Sequence, residues 1–106
     1  MSPIDPMNFN NYVGIGSSHE VAQEYDEAAT FYRRALEERP NATWIYRNLA
    51  SVLSGAGRLK EAKQAFAELM RYYPDLTISK FKQAMVFPPA VLNRMAENLR
   101  KLGLPD

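Results

Sequence analysis

Apolar positions in the middle of the chain recur at helical spacing. In TWIYRNLASVLSG the residues Tyr46, Leu49, Ala50 and Leu53 follow i, i+3, i+4, i+7, which is one face of a helix. LKEAKQAFAELMRYY does the same with Leu59, Ala62, Phe66, Leu69 and Met70, and GAGR between the two supplies a turn. Upstream, DEAATFYRRALEER predicts a helix opening on Asp26 and Glu27, where the helix dipole favours negative charge. Its Arg33, Arg34 and glutamates read as a solvated face. Downstream, TISKFKQAMVF predicts a shortened helix stopped by Pro88 and Pro89, because each proline removes a donor and restricts the residue before it. A last helix is expected over residues 89–102, with proline in its first turn and Gly103 as its stop. Leu92, Met95, Ala96, Leu99 and Leu102 form its apolar stripe, and Arg94, Glu97, Arg100 and Lys101 are expected to face away.

The pattern repeats. Pro6, Pro40 and Pro74 stand 34 residues apart in similar contexts, DPMN, RPNA and YPDL. At the same period Tyr12 falls on Tyr46, Ile15 on Leu49, Gly16 on Ala50, Ala28 on Ala62 and Tyr32 on Phe66. These residues resemble the tetratricopeptide repeat, a 34-residue helix–turn–helix unit with an aromatic, Leu, small, Tyr, then Ala, Phe, Pro pattern. One unit covers residues 9–42 and a second 43–76, with a degenerate third repeat and a capping helix over 77–106. His19, Leu53 and Leu69 depart from the pattern in residue type but remain packing residues. The resemblance implies an all-α fold: tandem helix–turn–helix repeats in a short right-handed solenoid, with the last helix closing its open end.

YVGIGSSHE raises the question of a phosphate or metal site. No third glycine, no preceding strand and no Gly-Lys-Ser/Thr ending accompany Gly14 and Gly16, and Gln23 stands where a second zinc-binding histidine would be needed. Gly16 sits instead at the small-residue position where the partner helix crosses closely, with Ala50 its counterpart. Gly14 has no such counterpart and weakens its helix. His19 falls on the inward face and reads as a packed residue.

The 106 residues make one domain, 46% hydrophobic and 24% charged, with a net charge of +1. That balance gives no general attraction to nucleic acid or anionic membranes. No apolar run reaches membrane-span length, and the absence of cysteine excludes disulfides and thiolate chemistry, consistent with a cytoplasmic location. The sequon at Asn41, Ala42 and Thr43 reads as a helix-entry cap. No nucleophile–base pair, metal cluster or phosphate cradle can be assembled, so a non-enzyme without cofactor is expected.

Residues 1–8 look like the end of a truncated preceding repeat or a linker. The whole chain resembles the C-terminal repeat region of bacterial class III adenylate cyclase-type signalling proteins, which would place any cyclase chemistry outside these residues. The repeat resemblance implies a protein-interaction scaffold with a groove lined by the first helices of successive units. Its expected residues are Asn10, Val13 and Ser17, then Trp44, Arg47, Asn48 and Ser51, then Ile78, Phe81 and Lys82. Only Asn48 and, loosely, Lys82 match the carboxylate-binding set of the family's chaperone-tail receptors. Trp44 with Arg47 and Lys82 suits an acidic or aromatic-bearing segment; packing of Trp44 on the neighbouring helix is the open alternative. A further alternative is a structural module that packs on or dimerises a neighbouring catalytic domain, and weak self-association through the N-terminal end is expected. Tyr46, on the packing stripe, is expected to cost about 3–5 kcal/mol when cut to alanine.

Overall fold

The computed structural model describes residues 8–106. All regular structure among them is helical: α1 (Phe9–Val21), α2 (Tyr25–Glu38), α3 (Ile45–Gly55), α4 (Leu59–Tyr72), α5 (Ile78–Ala84) and α6 (Pro89–Arg100). The expectation of a preceding repeat falls almost wholly outside the described residues. Asn8, the first described residue, caps α1 by accepting from the Asn11 N–H, while Asn11 Oδ1 accepts from the Asn8 N–H.

Two antiparallel pairs, α1 with α2 and α3 with α4, stack through α2 against α3. The reversals use the same backbone device 34 residues apart, Gln23 at φ 60° and Gly57 at φ 76°. Glycine adopts that left-handed conformation freely, whereas glutamine does so at some cost. α2 and α4 end two residues before Pro40 and Pro74. Arg33 of α2 meets Glu61 of α4 at 2.7 Å, and Arg58 reaches Asp26 at 3.2 Å and Glu61 at 2.7 Å. These pairs are exposed or nearly so and add little stability.

The core joins Ala28, Tyr32, Ala35, Leu49, Ala50, Leu53, Ala62 and Leu69, the repeat positions of both units. Gly16 does what its register implies. A methyl group there would lie 2.9 Å from Cε1 and 3.0 Å from Cδ1 of Tyr32, whose ring is fully buried. Gly14 faces open space. His19 stacks on Phe31 at 5.7 Å, and its Nδ1 lies 2.9 Å from Glu24 Oε1.

Three expectations need correction. Thr43 does not cap α3: its Oγ1 lies 3.0 Å from the Tyr73 hydroxyl, and Trp44 at the helix start makes no side-chain cap bond. α6 ends at Arg100 rather than Leu102, and it packs along α3 as well as α5. Arg94 does not face away but donates to the Val21 carbonyl at 3.1 Å. No helix among the described residues is long and apolar enough to cross a membrane.

Alanine at positions 14 and 16 separates propensity from packing, because each change removes the same glycine penalty. Gly14→Ala should stabilise the chain by about 0.5–1 kcal/mol. Gly16→Ala should be less stable than Gly14→Ala by about 1–3 kcal/mol, the cost of overpacking against Tyr32. Urea denaturation of both variants reads the difference.

Candidate functional site

α3 carries Asn48, Ser51 and Ser54 on one face at helical spacing. The sequence alone would leave these polar residues open to water. Instead Ser51 Oγ points to the Met95 carbonyl at 3.5 Å and Ser54 Oγ donates to the Asn98 carbonyl at 2.8 Å. Both pairs join residues 44 positions apart, so α6 lies parallel to α3 in a fixed register. Small groups allow the close approach: a methyl at Gly55 would come within 3.0 Å of Asn98 Nδ2. Arg94 bridges to α1, where Val21 offers one of the carbonyls that the end of a helix leaves without an intrahelical partner.

Beside Val21 a carboxyl is buried. Glu20 is 2% exposed and lies on the face of α1 that also carries Gly16. Its Oε1 accepts from the Tyr32 hydroxyl at 2.6 Å and from Asn48 Nδ2 at 3.2 Å, while Ser17 Oγ sits 3.2 Å from the same phenol. Glu20 Oε2 and Asn48 Oδ1 are buried acceptors without a partner among the described residues. Burial pushes the Glu20 carboxyl up from 4.5 to about 7, against the lowering effects of the Tyr32 and Asn48 bonds and the Arg94 charge. Burial also drives the Tyr32 phenol well above its ordinary range, with the Glu20 charge adding to it.

The ten groove residues expected from sequence divide in two. Asn48, Ser51, Ile78 and Phe81 are buried, with Ser51 and Phe81 at 0% exposure, and are not available to a partner in this arrangement. The physical reason is α6: its backbone covers the serines, and it packs on α5, which carries Ile78 and Phe81. Asn10 is exposed, and Val13 and Ser17 are half-buried. Trp44 is 36% exposed with its ring set edge-on against Phe9 at 6.1 Å. Half-buried Arg47 donates from Nε to the Trp44 carbonyl at 3.1 Å, and burial lowers its pKa. Lys82 is turned to α6, donating to Asn93 Oδ1 at 3.0 Å.

Sequence reasoning missed Glu20, Ser54 and Arg94. For Glu20 the available signal was its place four residues after Gly16, on the stripe that meets α2. Tyr46 also differs from expectation. It is half-buried, stacks on Tyr72 at 6.3 Å and lines a cleft of about 280 Å³ with Arg33, Leu36, Glu37 and Leu49.

Two measurements follow from this geometry. Tyr46→Ala should cost less than about 2 kcal/mol, because only part of the ring's area leaves water, whereas fully buried Leu53→Ala should cost about 2–5 kcal/mol. For Glu20 the folded state holds its proton more tightly than the unfolded chain. Its stabilising effect is therefore complete below pH 4.5 and is lost as pH rises to about 7. Wild type should lose on the order of 3 kcal/mol relative to Glu20→Gln across that window. Denaturant melts of both proteins at the two ends read it.

A family model described as the tetratricopeptide repeat matches residues 22–85, more than half of the chain. Neither curated proteins nor solved structures give a match. The matched span holds α2, α3 and α4 whole and reaches the end of α5. The paired helices, their 34-residue period and this match agree: the chain belongs to the tetratricopeptide repeat family.

Proposed function

We propose that the chain is a non-catalytic protein-interaction module that meets a peptide or protein segment at the open end of its first-helix face, around Trp44. Tetratricopeptide repeats generally mediate protein–protein interaction. The observation that carries the reading is the setting of the indole. One edge is anchored on Phe9, which Arg39 covers from 4.5 Å, while 36% of Trp44 remains exposed. A ring held in place but not enclosed loses little freedom on binding and can bury apolar area against a partner.

Asn10 and Val13 of α1 and Arg47 of α3 share the first-helix face with Trp44 in this reading. A segment bearing acidic and aromatic groups suits an indole with guanidinium groups nearby. Resemblance over the whole chain supports a place as the C-terminal module of a larger bacterial signalling protein such as an adenylate cyclase.

Peptides selected from a random displayed library on the full chain supply the test. Trp44→Ala should weaken those that bind at this surface by about tenfold or more, while the melting temperature falls by only a few degrees, on the order of 5. Selected peptides that bind Trp44→Ala as tightly as wild type would remove Trp44 from the interaction surface. Unfolding of the variant would assign the indole to the core.

A further inference from the structure

The second helices of the two units, α2 and α4, leave a cleft open over the side of α3 that α6 does not cover. Tyr46 and Leu49 lie about 140–160° round α3 from Ser51, at roughly 100° per residue. They floor two adjoining hollows of about 280 and 130 Å³, which share these two residues and Arg33. Leu36 and Glu37 of α2 wall the larger one, and Glu61, Gln64, Ala65 and Glu68 of α4 wall the smaller. Leu49 and Ala65 are buried, but Tyr46 and Leu36 are only half-buried. The rim carries more negative than positive charge. Arg33 is already held by Glu61 at 2.7 Å, and Glu61 also takes Arg58 at 2.7 Å. Among the described residues Glu68 meets only Arg71, at 3.3 Å, and Glu37 meets no cation. Burial and then the Glu68 charge raise the Tyr46 phenol above its ordinary pKa, so that carboxylate acts on the ring. The stacked neighbour, Tyr72, has the cation that such a setting favours: the Arg71 guanidinium lies over it at 5.1 Å while pairing with Glu68. Among the described residues no cation covers Tyr46.

We propose that this cleft is a second interaction surface, which takes an arginine from an apolar segment of a partner protein, its guanidinium laid on Tyr46 between Glu37 and Glu68. Size and chemistry both point to that occupant. The larger hollow, about 280 Å³, is below the roughly 300–1,000 Å³ of sites that enclose a free small molecule, so it suits one side chain. A planar guanidinium stacks on a phenol and bonds carboxylates through its edge at the same time, which a lysine ammonium cannot do. Leu36 offers apolar surface to the residues beside the arginine. The surplus of carboxylates disfavours the acidic segment that suits the indole surface. The two surfaces therefore select partners of opposite charge, and each reading can fail alone.

Three short peptides test this on the isotopically labelled full chain: acetyl-Leu-Arg-Leu-amide and its citrulline and lysine counterparts. The arginine peptide should shift the amide signals of Leu36, Glu37, Tyr46 and Glu68 and saturate at a concentration on the order of millimolar. The citrulline and lysine peptides should each bind at least about fivefold more weakly. Glu37→Gln and Tyr46→Leu should each weaken the arginine peptide by about threefold or more, whereas Tyr46→Phe, which keeps the ring, should retain it. Glu37 is exposed, so its variant carries the comparison should Tyr46→Leu unfold. Trp44→Ala should leave the binding unchanged. No saturable shift at about tenfold higher peptide concentration overturns the proposal, as does equal binding of the lysine or citrulline peptide, which would assign the effect to bulk charge or to the leucines. Loss of binding in Trp44→Ala, or shifts confined to the indole surface, would overturn it too. Shifts of the four cleft signals with protein concentration alone would put a second copy of the chain in the cleft and overturn the assignment to a partner.

Discussion

α3 is buried without a break from Asn48 to Ser54, and a helix enclosed on every side cannot leave its polar groups to water. A helix in a two-layer repeat normally buries one stripe and exposes the rest. Here α2 and α4 cover two sides, and α6 covers the side carrying the hydroxyls. Ser51 and Ser54 are satisfied only because α6 lies parallel and close enough for its carbonyls to accept from them. The same demand, met only in part at Asn48, draws Glu20 and Tyr32 into one cluster.

That cluster links stability to pH. A buried carboxyl with one bare oxygen is tolerated most easily in its neutral form, and burial raises its pKa to about 7 accordingly. Deleting the group while keeping its shape removes the penalty, which is why a buried ionisable residue is weak evidence for stability. Arg94 reinforces the arrangement from α6 by joining the end of α1, so the last helix contacts the first pair as well as the second.

The repeat was legible because it is written in apolar and small residues at fixed spacing. Gly16 against Tyr32, and Ala28, Ala62 and Leu69 at full burial, follow from the 34-residue register without reference to any partner helix. The covered groove was not legible, because its contacts use residues that a polar–apolar pattern assigns to solvent. Ser51 and Ser54 bond to backbone, which sequence periodicity cannot register. Arg94 stands among Glu97, Arg100 and Lys101, which are exposed, so nothing in the pattern marks it as the one that turns inward. Tyr46 failed in the opposite sense: a repeat position usually filled by a packed aromatic lies half-open at a cleft, stacked on Tyr72.

The enclosure of α3 therefore depends on α6 lying along it. Nuclear Overhauser contacts in the isotopically labelled full chain measure this directly. Cross-peaks should join Ser51 and Ser54 to Met95 and Asn98, and Val21 to Arg94. A spectrum in which α6 shows contacts to α4 and α5 alone, with Ser51 and Ser54 exchanging freely with water, would contradict it.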